Sequence, residues 1–69
     1  MNRDQMQGQW KQLKGEARTM WGKLTDDDLE QIQGNTETLV GRLQERYGYA
    51  RAKAEEEVNH FLERHPAHP

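Results

Sequence analysis

Apolar side chains recur at steps of three and four along the first third of the chain: Met6, Trp10, Leu13, Ala17, Met20, Trp21 and Leu24. At about 100° per residue they fill one arc of a helical wheel, the stripe of an amphipathic helix, and predict a helix over about 4–22. The run Leu24-Thr25-Asp26-Asp27-Asp28-Leu29 then reads as a new start. Thr25 is a favoured N-cap, and Asp28 three residues later completes a capping-box pair. Three aspartates in one first turn also suit the positive end of a helix dipole. This second helix spans about 26–33 and stops at Gly34-Asn35. Leu39, Val40, Leu43 and Tyr47 mark a third over 36–47, capped by Asn35 or Thr36. Gly48 breaks the chain, and Ala50, Ala54, Val58 and Phe61, with Leu62 beside them, mark a fourth over 50–63. Pro66 and Pro69 end any helix, so 65–69 reads as a loose tail after a single domain over 1–64. No segment alternates with a period of two, so no strands are predicted.

A longer period underlies these stripes. All six glycines fall into two triplets spaced by seven, Gly8, Gly15, Gly22 and Gly34, Gly41, Gly48, and the second is the first shifted by twenty-six residues. On that shift Leu13 falls on Leu39, Ala17 on Leu43, Trp21 on Tyr47 and Ile32 on Val58. Net charge follows: +3 over 1–24, −5 over 25–37, +3 over 38–54 and −3 over 55–69. A basic helix and an acidic helix are used twice, an internal pseudo-duplication. Each half alone has too little apolar surface, so the two must share one core. The expected core is Trp10, Leu13, Ala17, Trp21, Leu24, Leu29, Ile32, Leu39, Leu43, Tyr47, Ala54, Val58 and Phe61. Glycine inside a helix costs about 1 kcal/mol against alanine. The economical placement therefore makes Gly22 a C-cap and Gly8 part of a frayed start, leaving Gly15 internal. The other reading has something pack against the glycine side and require bare backbone.

Composition bounds the function. Sixty-nine residues make one domain. Leu, Ile, Val and Phe number only ten, yet net charge is −2, and two Trp, two Tyr and three Met add apolar area. A folded domain of about 3–5 kcal/mol stability is expected. There is no cysteine, hence no disulfide, thiolate nucleophile or Cys-based zinc site. No apolar run approaches a membrane span and the N-terminus has no signal-peptide core, so a cytoplasmic, non-membrane-spanning monomer is expected.

Candidate chemistry is sparse. Lys11, Lys14 and Arg18 fall at i, i+3 and i+7 along one flank of the first helix. Such a stripe can track a phosphate backbone, with Trp10 or Trp21 for stacking. The alternative is a solvated flank met by the acidic second helix, and a pI near 5.9 favours it over a dedicated nucleic-acid binder. Asp26, Asp27 and Asp28 lack the alternate spacing, central glycine and closing glutamate of a calcium loop, so they read as capping residues. Tyr47-Gly48-Tyr49 resembles a helix-hairpin-helix turn but lacks its second glycine and has only Arg51 as the following basic residue, so Gly48 reads as a C-cap flanked by two core or half-buried tyrosines. Of the histidines, His65 and His68 lie in the tail and His60 beside Phe61, so no metal site is expected. Serine is absent as well, and no catalytic residue, cofactor or small-molecule substrate is expected.

Taken together, Gln9-Trp10-Lys11-Gln12-Leu13-Lys14-Gly15, Trp21-Gly22-Lys23-Leu24-Thr25-Asp26-Asp27-Asp28 and Leu43-Gln44-Glu45-Arg46-Tyr47-Gly48-Tyr49 resemble the CsbD-like family of small bacterial proteins over roughly residues 1–62. The resemblance implies a bacterial source and a link to general stress response. It also implies an all-α fold, a four-helix bundle of two crosswise-packed helical hairpins similar to SAM-like and tandem helix-hairpin-helix bundles. It carries no assigned site residues, and the ending His65-Pro66-Ala67-His68-Pro69 departs from the family pattern. The expectation is a non-catalytic, hydrophilic stress-response protein contacting damaged proteins or nucleic acid. The alternatives are a weak sequence-independent nucleic-acid module acting through Lys11, Lys14 and Arg18, and an adaptor with one specific protein partner.

Overall fold

The computed structural model describes residues 1–64, which form four α-helices: α1 Arg3–Met20, α2 Asp26–Ile32, α3 Thr36–Tyr47 and α4 Arg51–Arg64. No strand occurs among the described residues. Three helix starts are fixed by local side-chain chemistry. Asn2 accepts from the Gln5 amide at 2.7 Å while the Gln5 side chain accepts from the Asn2 amide at 2.9 Å, so α1 begins at Arg3. Thr25 and Asp28 close the same reciprocal box at 3.0 Å on both sides, and Asn35 accepts from the Thr38 amide at 3.0 Å to open α3.

The ends are set by packing and by glycine. α1 stops two residues short of the predicted 22 because Trp21 leaves the helical region, at φ −123° and ψ 77°, while its amide still donates to the Ala17 carbonyl. That departure drops the indole into the core, 5.1 Å from the Phe61 ring. Trp21 is thus the C-cap, and Gly22 follows it. The placement of Gly8 in a frayed start is also corrected: the Asn2–Gln5 box starts the helix well before it, so Gly8 and Gly15 are both interior. A Cβ at either glycine would meet nothing within 4 Å, so no described residue requires bare backbone there.

Gly34 is the opposite case. At φ +75° its Cβ would lie 2.6 Å from the Gln7 Cα, 2.9 Å from the Met6 carbonyl oxygen and 2.9 Å from the Trp10 Cβ. The α2–α3 turn presses bare backbone onto α1 at this point. α2 ends one residue earlier than predicted because Gln33 already adopts the left-handed region, at φ 50°. The repeat is therefore kept in part. Leu13 and Leu39, Ala17 and Leu43, and Ile32 and Val58 are buried pair by pair, and Gly15 and Gly41 are both helical. Gly8 and Gly34 have diverged completely, one in a helix and the other in a turn.

α1 and α3 each pack against all three other helices, whereas α2 and α4 do not meet. The shared core holds Met6, Trp10, Leu13, Ala17, Trp21, Leu24, Leu29, Ile32, Leu39, Val40, Leu43, Ala54, Val58, Phe61 and Leu62. Every expected member is there except Tyr47, which packs against it half-buried; Met6, Val40 and Leu62 join it.

Candidate functional site

The basic flank of α1 runs beside α2, and the two exchange charge. The Lys14 ammonium pairs with Glu30 and the Arg18 guanidinium with Asp26. Lys11 is exposed and has no carboxylate partner among the described residues. It borders a cleft of about 400 Å³ with Gln7, Trp10, Lys14, Glu30 and Gln33. Neither tryptophan is available for stacking, contrary to the expectation. Trp10 is 5% exposed with its indole N–H donating to the Leu29 carbonyl at 2.7 Å, and Trp21 is 1% exposed. The buried stripe that makes α1 amphipathic is the same stripe that carries both indoles.

Asp28 anchors α2 to α3. Its carboxylate is buried and accepts from Arg46 twice, Nε at 2.8 Å and Nη2 at 2.9 Å, while one oxygen also caps the Thr25 amide. Arg42 Nε stands 3.8 Å away. The Arg46 hydrogen bonds hold the Asp28 carboxyl well below the usual carboxylate range, with Thr25 assisting and burial opposing. The same pairing raises Arg46. Asp28 is thus committed to Arg46 and Thr25, and Asp26 to Arg18. Among the described residues no three His, Asp or Glu converge on a metal-holding site. His60 is exposed on α4, and His65 and His68 lie outside the described residues. Nothing local in the sequence announces the Asp28–Arg46 pair, because eighteen residues separate its members.

Around the α3–α4 turn, Gly48 takes the left-handed region at φ 71° and donates to the Gln44 carbonyl at 2.9 Å as the C-cap of α3. It leaves Tyr47 and Tyr49 stacked, ring centroids 5.0 Å apart and planes 14° apart. The α1–α2 connection joins them: the Lys23 amide donates to the Tyr47 hydroxyl at 3.2 Å. Lys23 was not singled out by sequence, since only tertiary folding carries it to a turn twenty-four residues away.

Four helices, three of them with side-chain N-caps, and charge paired across α1 and α2 define a small all-helical protein. The CsbD-like family model matches residues 4–56, and the chain belongs to that family. It is 57% identical over 68 residues to a UPF0337 protein of Pectobacterium atrosepticum, covering 99% of each chain. It is 53% identical over 64 residues to a UPF0337 protein of Pseudomonas aeruginosa, covering 93% of this chain and 98% of that one. The UPF0337 protein YjbJ of Escherichia coli is 52% identical over 65 residues, 94% of each chain. Among the described residues no helix is long and apolar enough to cross a membrane.

Proposed function

We propose that this protein is a non-catalytic stress-response factor that protects other macromolecules by partial opening of α1. One observation carries the reading. Gly8 and Gly15 both lie inside α1, and neither is required by packing among the described residues. Each lowers helix stability by about 1 kcal/mol, and neither has a contact that needs it. The face that α1 buries holds Met6, Trp10, Leu13 and Ala17, with Trp21 just beyond its end. Detaching α1 would present large, adaptable apolar groups to unfolded or damaged partners. A mean hydropathy of −1.29 with no cysteine keeps the folded state hydrated and free of thiol oxidation.

The test is suppression of heat- or drying-induced aggregation of unrelated enzymes at near-stoichiometric ratio, comparing the native chain with Gly8→Ala/Gly15→Ala. The variant is expected to be more stable and less protective. Equal protection by the stabilised variant overturns the opening mechanism. An adaptor, by contrast, would capture one protein reproducibly and protect none.

A second reading is weak, salt-sensitive nucleic-acid contact along Lys11, Lys14 and Arg18. The exposed Lys11, without a carboxylate partner among the described residues and beside its cleft, supports it. Binding there would have to break the Lys14–Glu30 and Arg18–Asp26 pairs, which keeps it weak. Loss of oligonucleotide binding on replacing all three residues by Gln supports it; unchanged binding excludes the flank. We also read the four helices as two hairpins, α1–α2 and α3–α4, packed crosswise in a single domain, supported by α1 and α3 alone touching every other helix. An experimental structure with the two hairpins side by side in parallel would overturn that arrangement.

A further inference from the structure

The aromatic side chains of this chain are sorted into two sets. Trp10, Trp21 and Phe61 are buried, while Tyr47 and Tyr49 remain half-exposed as a near-parallel stack at the α3–α4 turn. Cations from two separate elements sit over these rings. The Lys23 ammonium lies 5.2 Å from the Tyr47 centroid and the Lys53 ammonium 5.9 Å from the Tyr49 centroid. Lys23 has no carboxylate partner among the described residues, and Lys53 has only a loose one, Glu57 at 3.9 Å. Arg51 is held at 2.6 Å by both Glu37 and Glu55, so it stays out of the cluster's free charge. The first turn of α4 carries Arg51 and Lys53 with no acidic residue, so basic side chains stand at the positive end of its dipole. Gly48 lies between the two tyrosines and Gly22 precedes Lys23 in the chain; both are exposed and face open space where a Cβ would stand. Two turns related by the twenty-six-residue repeat are thus joined, through the Lys23–Tyr47 hydrogen bond, into one surface with ring faces, exposed cations and bare backbone.

We propose that this surface binds single-stranded nucleic acid. Unpaired bases stack on the tyrosines, Lys23 and Lys53 move from the rings onto neighbouring phosphates, and the two glycines let the strand's backbone approach. Every base has a stacking face, so recognition is sequence-tolerant. Duplex bases are already stacked on one another and cannot use the rings, so a single strand is favoured over a duplex. The α1 flank offers no stacking face, since its indoles are buried. The proposal is independent of the protective reading. It also differs in place from the flank reading.

Fluorescence anisotropy of an end-labelled oligothymidylate, its RNA counterpart and a duplex of equal length tests the site at low salt, with circular dichroism confirming that each variant is folded. Single strands of both kinds are expected to bind roughly tenfold more tightly than the duplex, and Tyr49→Ala to weaken binding by roughly tenfold while Tyr49→Phe retains it. With two phosphates neutralised, an approximately fourfold rise in salt should weaken binding about sevenfold, and Lys23→Gln/Lys53→Gln should flatten that dependence. Both lysines are exposed, so this pair carries the test even if Tyr49→Ala fails to fold. The triple variant Lys11→Gln/Lys14→Gln/Arg18→Gln should bind as the native chain does. Absence of single-strand binding overturns the proposal. So does equal affinity for duplex, unchanged binding by the lysine pair, or binding lost only in the triple variant, which would place the contact on α1.

Discussion

Gly8 and Gly34 stand at equivalent places in the repeat and do opposite things. Gly34 sits where α1 touches the α2–α3 turn, in a left-handed conformation, with α1 backbone where its side chain would be. Gly8 faces open space in the middle of a helix. One glycine is demanded by close approach; the other weakens its own helix with no packing reason among the described residues. The same contrast runs through the ionic contacts. Asp28 binds α2 to α3 from a buried position, whereas Lys14–Glu30 and Arg18–Asp26 join α1 to α2 with exposed carboxylates. Exposed pairs of that kind contribute about 0–1 kcal/mol each. The α2–α3 seam thus carries a buried ionic contact, whereas α1 meets α2 through exposed pairs beside its apolar stripe.

The sharpest test is Gly34→Ala, which should destabilise by about 3 kcal/mol, combining a steric clash with a positive-φ cost. Urea unfolding measures it, and a loss below about 1 kcal/mol would mean that the turn can move off α1. Asp28→Asn comes next, at about 2 kcal/mol, because charge-assisted bonds to Arg46 are lost from a buried site. The pH dependence follows from the lowered folded-state value of Asp28. Its stabilisation is fully present above the unfolded carboxylate range and fades as pH falls below about 4. Thermal melts between neutral and acid pH should therefore decline less steeply for Asp28→Asn than for the native chain. Of comparable size but opposite sign, Gly8→Ala/Gly15→Ala should stabilise by about 2 kcal/mol, enough to raise Tm by roughly 8–16 °C. A loss of stability there would show that the bare face is in use. Smallest is Thr25→Ala, at about 1 kcal/mol through loss of the α2 cap, since the Asp28–Arg46 pair remains. If Thr25→Ala matches Asp28→Asn, cap and ion pair act as one unit, which a double variant would show as non-additivity.

Features written within three or four residues were legible in the sequence. Thr25 with Asp28 announced the start of α2, and Asn35 with Gly48 bracketed α3 at the predicted bounds. The start of α1 near residue 4 was legible, but Gly8 read as part of a frayed first turn because the Asn2–Gln5 box uses amide side chains, a weaker written signal than Thr with Asp. The core was legible because helical periodicity alone separates Leu13 or Val58 from their polar neighbours. Tertiary contacts were not. Equal spacing made Gly8 and Gly34 look alike, and only the approach of α1 to the turn tells them apart. The acidic second helix did meet the basic flank, as net charge suggested, for Lys14 and Arg18. The choice of Asp28 by Arg46 depends on which turns face each other, and no pattern of period 3.6 encodes that. The tyrosine turn was noticed for its glycine, but its lysines arrive from elsewhere in the chain.

The two indoles have an optical consequence. Trp10 is tied to α2 by its hydrogen bond to the Leu29 carbonyl, whereas Trp21 lies against Phe61 of α4 with its N–H meeting no acceptor among the described residues. An indole in dry surroundings with a bare N–H emits further to the blue than one polarised by a carbonyl. Retaining one tryptophan at a time therefore gives two lamps in one small molecule, Trp10 watching the seam with α2 and Trp21 the seam with α4. A release of α1 that begins at one end would redden one lamp before the other. Fluorescence would then show the order in which the molecule comes apart.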